Sequence, residues 1–366
     1  MSRIGILGGG QLGRMMALAG YPLGLRFRFL ESKSPCPVEE MGELVRADYD
    51  DEAALGPFAE GLDVVTYEFE NVPVRSATLL EAHLPVHPAP AALRAAQDRL
   101  REKQGFESLG IPTAPFHPVE SRDGLDEAVG HIGLPAVLKT RRWGYDGKGQ
   151  EVLERHADLD GAWERLGGQP LLLERFIDFS RELSQVAVRG RDGSVAFYPL
   201  VENEHREGIL VRTLAPAPVV GDRMRDAART YVRTLMEDLG YVGVLALELF
   251  QEGEHLLANE MAPRVHNSGH WTQDGAWCSQ FENHLRAVAG LPLGPTDLRH
   301  HAGMRNILGT APDPADVLRI PGVRLHQYDK APRPGRKLGH VNVLGSDPSE
   351  VMERLERLED LLTASG

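Results

Sequence analysis

The sequence predicts a mixed fold, in which an α/β domain with a parallel sheet is followed by α+β segments. The apolar run at residues 3–7 is followed by glycines and then by helical apolar spacing at residues 11–19. From Ala136 the pattern changes to strand-like runs joined by short glycine-containing turns. With 366 residues and 42% apolar content, the chain is long enough to bury more than one hydrophobic core.

The individual elements follow from hydrophobic periodicity and turn residues. In the first part we expect strands at 3–7, 25–30 and 62–67 around the helix at 11–19. In the middle part we expect strands at 170–174, 182–189, 195–200, 242–250 and 255–261, with helices at 221–239 and 279–289. After Pro292 and Pro295 we expect strands at 304–308, 323–328 and 340–344 and a closing helix at 349–362. The predicted domains are therefore residues 1–98, 99–294 and 295–366.

Composition excludes several classes of protein. The net charge of -13 argues against a nucleic-acid coat protein, which needs a broad basic face. No apolar run has the roughly 20 residues that span a bilayer, and the N-terminus enters a strand pattern at once, so we expect a cytoplasmic protein without a membrane partner. Cys36 and Cys278 lack metal-ligand spacing and suit a reducing compartment. Lys33 and Lys103 are interpreted as ordinary surface lysines.

The first glycine-rich loop satisfies G-x-G-x-x-G through Gly8, Gly10 and Gly13, with Glu31 about 20 residues further on. Taken alone, this pattern predicts a nicotinamide-dependent dehydrogenase. The physics supports a broader interpretation, because any phosphate can approach a glycine backbone at a helix N-terminus. We favour a phosphate or nucleotide contact of another kind, and a purely structural tight turn stays open.

A second glycine-rich loop follows the apolar run that ends at Leu138. Lys139 stands at the predicted strand end, and Gly144, Gly147 and Gly149 follow in the loop. Such a loop suits the binding of a polyphosphate, because lysine supplies a charge and glycine lets backbone N–H groups close in. The alternative is a solvated basic hairpin.

Two glutamates lie on a predicted hairpin. A three-residue loop at 252–254 would pair Gln251 with His255 and Glu248 with Ala258, leaving Glu260 diagonally adjacent to Glu248. Two carboxylates on one face predict a Mg²⁺ site that acts with nucleotide phosphates. The alternative is two unrelated strand glutamates, one of them facing solvent.

Residues 259–272 contain the densest group of polar side chains, without helical or strand periodicity. A loop of this kind beside a metal pair is typical of a catalytic site. Arg264 could stabilise a transferring phosphoryl group, and His266 or His270 could carry a proton, although a single histidine is more often structural.

Together these segments resemble the N5-carboxyaminoimidazole ribonucleotide synthetase family of the ATP-grasp superfamily nearly end to end. The resemblance covers residues 8–15, 67–71, 97–99, 139–150, 259–272, 279–282, 328–330 and 333–337. It implies an ATP-grasp fold with an N-terminal parallel-sheet (pre-ATP-grasp) domain and a small C-terminal domain. It also implies that ATP phosphorylates bicarbonate to carboxyphosphate, which carboxylates 5-aminoimidazole ribonucleotide in purine biosynthesis, and it suggests a homodimer.

The resemblance assigns roles to residues of this sequence. Glu248 and Glu260 would carry Mg²⁺, Glu182 would accept from the ribose hydroxyls, and residues 174–177 would present backbone to adenine. The ATP site would comprise Arg99, Lys139, Gly144, Tyr145, Asp146, Gly147, Lys148, Gly149, Gln150, Glu174, Arg175, Phe176, Ile177, Glu182, His205, Asn259 and Glu260. The catalytic loop would comprise Arg264, His266, Asn267, Ser268 and His270. The aminoimidazole ribonucleotide would contact Gln11, Leu12, Glu70, Arg142, Tyr145, Lys330, Arg336 and Lys337.

The sequence departs from the family at two positions. Trp143 stands where the family's loop has glycine, and an indole takes a positive φ only at a cost, so the ring could instead pack over the nucleotide. Ala262 stands where many ATP-grasp enzymes carry an asparagine ligand, so no third protein ligand is assigned to the metal. The alternative functions are a formate-dependent glycinamide ribonucleotide transformylase, a silent ATP-binding subunit and the dehydrogenase.

Overall fold

The first domain is built on a parallel sheet. The structure is a computed structural model that describes residues 2–144 and 147–364, so the predicted site residues Tyr145 and Asp146 lie outside the described part. The N-terminal sheet has the order β3-β2-β1-β4. Its strands are β1 Arg3–Leu7, β2 Arg26–Leu30, β3 Glu43–Val45 and β4 Val64–Tyr67. The helices of this part are α1 Gln11–Gly20, α2 Glu52–Ala59, α3 Val74–Glu81, α4 Pro90–Ala96 and α5 Arg99–Ser108.

The glycine-rich loop between β1 and α1 holds carboxylates of the chain itself. The backbone N–H groups of Gly10 and Gly13 donate to the buried carboxylate of Glu68, the latter at 2.7 Å, and Gly9 N–H donates to Glu31 at 3.1 Å. A Cβ added at Gly10 would lie 2.6 Å from Glu68 Oε1, so glycine is required for this close approach. The anion at this helix N-terminus is therefore Glu68. The dinucleotide interpretation of the loop is wrong, because a side chain 55 residues further on fills the place, whereas a phosphate contact of another kind stays a prediction.

A small antiparallel sheet follows, with the order β5-β8-β6-β7. Its strands are β5 Phe116–Val119, β6 Ala136–Thr140, β7 Gln150–Leu153 and β8 Leu171–Arg175, and its helices are α6 Arg122–Ile132 and α7 Leu159–Leu166. Alternate residues such as Leu138 and Leu173 are buried in a core with α6 and α7. The intervening residues, among them Lys139 and Glu174, point to the other face. This sheet thus separates an apolar helical layer from a polar cavity.

The large antiparallel sheet has the order β14-β13-β9-β11-β12-β15-β17-β16, with β10 paired to β9. Its strands are β9 Arg181–Arg189, β10 Val195–Phe197, β11 Val201–Arg206, β12 Ile209–Ala215, β13 Gly243–Glu252, β14 His255–Ala262, β15 His301–Leu308, β16 Val323–Gln327 and β17 Lys337–Gly345. The remaining helices are α8 Asp222–Asp238, α9 Thr272–Gly275, α10 Gln280–Ala289, α11 Pro314–Leu318 and α12 Pro348–Ala364. The strands predicted for a separate C-terminal unit extend this same sheet, because β15 pairs with β12.

The strands and helices predicted from the sequence are present, with ends shifted by a few residues. The strand predicted over 195–200 ends at Phe197, because Pro199 has no N–H for the ladder. No helix in the described part of the chain is long and apolar enough to cross a bilayer. The predicted domain boundaries stay a prediction, since the sheet continues across the last of them.

Replacing Glu68 by Ala should destabilise the N-terminal domain. The substitution leaves buried N–H groups of the glycine loop without an acceptor, which costs roughly 1–3 kcal/mol. Urea denaturation followed by circular dichroism would measure the loss. The matched control is Glu60→Ala, because the Glu60 side chain is exposed. Equal denaturation midpoints for the two variants would show that Glu68 does not hold the loop.

Candidate active site

A cavity of about 640 Å³ lies where the N-terminal sheet, the small sheet and the large sheet meet. Its wall takes Gln11 and Glu70 from the first domain, Lys139 from the small sheet, and Glu248 and Glu260 from the large sheet. Residues far apart in the chain, which the sequence predicted to converge on one nucleotide, therefore share one space.

Most of the predicted site residues line this cavity. They are Gln11, Leu12, Glu70, Arg99, Lys139, Gly144, Gly147, Lys148, Gln150, Glu174, Arg175, Phe176, Ile177, Glu182, His205, Glu248, Asn259, Glu260, Arg264, His266, Asn267, His270 and Lys337. Ser268 lies behind the wall, where its Oγ is 2.8 Å from His266 Nδ1. The wall does not include Gly149, Arg142, Lys330 or Arg336.

The hairpin that carries the two glutamates has a shorter loop than predicted. Glu252 pairs with His255, so the loop has two residues instead of three, and the predicted pairing of Glu248 with Ala258 is wrong. With a two-residue loop, regular alternation would place Glu260 opposite Leu247 and on the other face of the sheet from Glu248.

A β-bulge returns Glu248 and Glu260 to the same face of the sheet. Leu249 pairs with Ala258, but Leu247 pairs with Met261, so Asn259 and Glu260 both stand opposite the single residue Glu248. Because the extra residue lies on β14, all three side chains line the cavity. The predicted convergence of Glu248 and Glu260 is thus achieved through a bulge in place of a longer turn.

The two carboxylates differ in protonation chemistry. Burial and the nearby charge of Glu260 raise the pKa of Glu248 to about 7, and His266 Nε2 lies 3.2 Å from its carboxylate. Burial acts in the same sense on Glu260, but the charges of Arg99, 2.7 Å away, and of Lys139 hold its pKa below the ordinary value. The buried Oδ1 of Asn259 has no hydrogen-bond partner among the described residues. Two carboxylates and an unpaired amide oxygen form a set of hard oxygen donors, which suits Mg²⁺.

The chain is similar to known proteins over nearly its whole length. Residues 104–281 match the model of the ATP-grasp domain, residues 1–97 that of the ribonucleotide synthetase preATP-grasp domain, and residues 302–354 that of the phosphoribosylaminoimidazole carboxylase C-terminal domain. The N5-carboxyaminoimidazole ribonucleotide synthase of Pseudomonas aeruginosa is 49% identical over 99% of this chain and 100% of its own length. The chain belongs to the N5-carboxyaminoimidazole ribonucleotide synthase family.

Solved structures of the family agree with this assignment. The synthetase from Thermus thermophilus matches with a TM-score of 0.94 and 56% identity, covering 98% of each chain. The Aspergillus clavatus synthase, in complex with ADP and 5-aminoimidazole ribonucleotide, matches with a TM-score of 0.92 and 30% identity over 99% of each chain. The predicted ATP-grasp fold and the predicted ATP-dependent carbon-nitrogen ligase class are confirmed. The predicted function, ATP-dependent carboxylation of 5-aminoimidazole ribonucleotide in purine biosynthesis, is confirmed as that of the family, and the dehydrogenase alternative is wrong.

Within this family site, a buried triad of charges orients Lys139. Its Nζ lies 3.0 Å from Glu174 Oε2, and Lys103 Nζ lies 3.3 Å from the same carboxylate. Although burial acts to raise it, the two lysines and Arg99 hold the pKa of Glu174 at about 2. Burial and the neighbouring cations lower the pKa of Lys139, even though Glu174 acts to raise it.

Lys103 was interpreted as a surface lysine, and that interpretation is wrong, because its side chain is 1% exposed. The sequence carried a signal for its burial. Arg99, Glu102, Lys103 and Phe106 follow the i, i+3, i+4, i+7 spacing of one helix face, and the last three are buried. The charges on three of these positions concealed the pattern, since burial is ordinarily inferred from apolar residues.

The catalytic loop carries a neutral histidine beside a fixed cation. The guanidinium of Arg264 donates to Glu70, which raises the pKa of the arginine against the effect of burial. Burial, helped by the charge of Arg264, lowers the pKa of His266 well below its ordinary value. His266 is therefore an uncharged imidazole near pH 7, whose Nδ1 accepts from the backbone N–H of Ser268 at 3.3 Å and whose Nε2 carries the hydrogen, towards Glu248.

His270 is buried and held by Gln280. Because Gln280 Oε1 accepts from His266 N–H, its amide nitrogen must be the group that faces His270 Nδ1, at 3.2 Å. His270 Nδ1 thus accepts a hydrogen bond, and the ring hydrogen lies on Nε2. Burial lowers the pKa of His270 well below its ordinary value, so this ring is also neutral.

Lys330 and Lys337, from the C-terminal part of the chain, lie at the side of the cavity that the first domain forms. Lys330 Nζ donates to the amide oxygen of Gln11, and burial lowers the pKa of this lysine to about 8. Lys337 lines the wall, whereas Arg336 donates to the carbonyl of Ala331 at 3.1 Å. Arg142 lines a small adjoining pocket, 3.6 Å from the carboxylate of Asp98.

Trp143 has a left-handed backbone, with φ of 65°. Its side chain is 67% exposed and lines the adjoining pocket instead of the main cavity, so the structure does not place the indole over the nucleotide space. Sequence reasoning also missed Phe179 and Phe250, whose rings stack at 4.6 Å on the cavity wall. Their signal was weak, since a single aromatic residue within a strand or in a short connection usually belongs to the core.

Replacing Glu174 by Gln should destabilise the protein by roughly 3–5 kcal/mol near pH 7, because it leaves two buried lysines unpaired. The folded-state pKa of Glu174 is about 2, against an ordinary value of 4.5. Its contribution is therefore full above pH 4.5 and is lost as the pH falls towards 2. Urea denaturation between pH 7 and 3 should show the difference from wild type shrinking with acidification.

The matched control for this pH series is Glu164→Gln, because the Glu164 side chain is exposed. Its denaturation midpoints should follow those of the wild type across the series. A stability deficit of Glu174→Gln that stays constant as the pH falls would contradict the assigned charge state of Glu174.

Proposed function

We propose that this chain uses ATP and bicarbonate to carboxylate 5-aminoimidazole ribonucleotide, giving N5-carboxyaminoimidazole ribonucleotide, ADP and phosphate. The γ-phosphoryl group passes to a bicarbonate oxygen to form carboxyphosphate. Carboxyphosphate releases carbon dioxide and phosphate, and the exocyclic amine forms a C–N bond to that carbon and loses a proton. The observation that carries the proposal is the single cavity that joins Lys139, the Glu248–Glu260 pair and Arg264.

The nucleotide would occupy the part of the cavity between the two antiparallel sheets. Lys139, Arg99 and the glycine-rich loop at Gly147 supply cationic and backbone donors for the phosphates. Glu182 accepts from His205 Nδ1 at 2.7 Å and keeps a second carboxylate oxygen for the ribose hydroxyls. Apolar rings at Phe250 and Phe179 suit the flat face of a base.

Mg²⁺ would be held by Glu248 and Glu260, with the unpaired Oδ1 of Asn259 beside them. When bound, the ion would neutralise phosphate charge during phosphoryl transfer. Arg99 already compensates part of the negative charge of the pair, which keeps Glu260 ionised for this role.

Bicarbonate would lie near the catalytic loop. Arg264 offers a cation held in place by Glu70, and neutral His266, with Ser268 behind it, offers a hydrogen-bonding imidazole next to Glu248. Its Nε2–H can donate a hydrogen bond to a bicarbonate oxygen, and the proton that the amine loses on C–N bond formation can pass to the phosphate that carboxyphosphate releases.

The aminoimidazole ribonucleotide would lie towards the first domain; a solved relative is in complex with ADP and 5-aminoimidazole ribonucleotide, so both ligands bind a protein of this family. Gln11, Glu70 and Lys337 line that side, and Lys330 is tied to Gln11. Two cations near one phosphate are favourable in a chain of net charge -13. A cytoplasmic location and a homodimer stay predictions from the sequence.

Phosphate release should require bicarbonate together with 5-aminoimidazole ribonucleotide. We expect full ATP turnover with both, and turnover close to background when formate replaces bicarbonate, because the proposed acceptor of the phosphoryl group is a bicarbonate oxygen. A coupled assay for ADP measures this. Stimulation by formate and glycinamide ribonucleotide would instead establish the transformylase, and ATP binding without any turnover would establish a silent subunit.

Glu260→Gln should lower turnover by at least about 100-fold, since removing one charge of the pair weakens stabilisation of the transferring phosphoryl group. The exposed Glu254, in the turn of the same hairpin, provides the control Glu254→Gln. Steady-state kinetics at several Mg²⁺ concentrations would separate lost metal affinity from lost catalysis. Wild-type turnover in a correctly folded Glu260→Gln protein would overturn the metal assignment.

A further inference from the structure

A group of metal-ligating side chains lies on the small sheet, on the face opposite the nucleotide cavity. His117 is on β5, and Glu127 and His131 are on α6; one ligand atom of each lies within 4.8 Å of the others. We propose that these three residues bind a late first-row divalent metal ion, of which Zn²⁺ is the representative. The site is independent of the proposed ligase reaction.

The packing of α6 against β5 brings the three residues together. His117 pairs with Leu173, which is buried against α6, so His117 shares the helix-covered face of the sheet. Glu127 and His131 are four residues apart and therefore neighbours on one side of α6. Leu125, on another side of the same helix, is buried in the core. The pair on α6 is thus left at the edge of the sheet, next to β5.

Both imidazoles hold the tautomer that metal-binding histidines have. His117 Nδ1 lies 2.9 Å from the carbonyl oxygen of Pro118, and His131 Nδ1 lies 2.9 Å from that of Glu127. A carbonyl oxygen only accepts hydrogen bonds, so each Nδ1 carries the hydrogen and each Nε2 presents a lone pair. Donation from the second ring nitrogen to a carbonyl is the arrangement that fixes the tautomer of metal-binding histidines. The two rings stack with centroids 4.8 Å apart and planes inclined by 15°, so the exposed His131 ring would turn out of the stack to direct its in-plane lone pair at an ion bound by His117.

The donor set selects the class of ion. Two imidazole nitrogens and one carboxylate favour Zn²⁺ and its neighbours over Mg²⁺ and Ca²⁺, which prefer oxygen ligands. Tetrahedral coordination at 2.0–2.2 Å brings ligand atoms to about 3.4 Å from one another. The exposed side chains of Glu127 and His131 can close this difference by rotation, and water would complete the coordination sphere.

A bound ion would fasten the edge strand of the small sheet to its covering helix. β5 pairs only with β8 among the described strands, and Phe116 stands opposite Glu174, which belongs to the nucleotide cavity. Because an ion that binds the folded form alone stabilises it by mass action, Zn²⁺ should raise the thermal midpoint of the protein.

Zn²⁺ binding to the full chain tests the proposal. Metal-free protein is titrated calorimetrically with Zn²⁺ in excess Mg²⁺, which occupies the oxygen donors of the cavity. We expect one equivalent to bind, and at least about tenfold weaker binding in His117→Gln and in His131→Gln. The exposed His156, in the same part of the chain, provides the control His156→Gln, which should bind as wild type does.

Two further measurements make the outcome decisive. Zn²⁺ should raise the melting temperature of wild type and of His156→Gln but not of His117→Gln or His131→Gln, and Co²⁺ should give visible absorption bands in the same two proteins only. Circular dichroism shows whether each variant is folded. No binding by wild type, binding that survives both substitutions, or an equal loss in His156→Gln would each overturn the site.

Discussion

The active cavity depends on the β-bulge in the hairpin of β13 and β14. Side chains alternate across a strand, so a regular two-residue hairpin would turn Glu248 and Glu260 to opposite faces of the sheet. One additional residue on β14 places Asn259 and Glu260 together opposite Glu248. The proposed metal pair of Glu248 and Glu260 requires this local irregularity, which the ladder tolerates because regular pairing resumes on both sides of it.

Around that bulge, buried charged side chains lie beside side chains of opposite charge. Arg99 pairs with Glu260, Arg264 pairs with Glu70, and Lys139 shares Glu174 with Lys103. Each isolated charge would be expensive to bury, but each pair is held at a defined position before any ligand arrives. An anionic ligand can then replace a carboxylate as the partner of a cation, without the reorganisation that exposed side chains would need. In this acidic chain, Arg99, Arg264 and Lys139 line the cavity at positions that carboxylates already fix.

Local patterns were sufficient to predict much of the secondary structure and part of the cavity wall, whereas wall residues such as Arg99, Glu182 and His205 were predicted only through the family resemblance. The strand before Lys139, the glycines after it and the polar loop around Arg264 are each readable within a short window. The remainder depends on contacts between distant residues. No window around Gly10 contains Glu68, hairpin register depends on a bulge that alternation does not reveal, and the pairing of β12 with β15 joins residues about ninety positions apart. Lys103 was missed for another reason. Its position follows the helical spacing of the buried residues, but its burial was not inferred because lysine is charged.

The carboxylate of Glu68 in the first glycine loop has a consequence for any redesign of this domain. In many α/β proteins the corresponding place is open, and a cofactor supplies the negative charge there. Here the polypeptide supplies that negative charge itself, through Glu68. A variant designed to bind a dinucleotide pyrophosphate at these N–H groups would first have to lose this internal counter-ion, and the domain would be less stable without it.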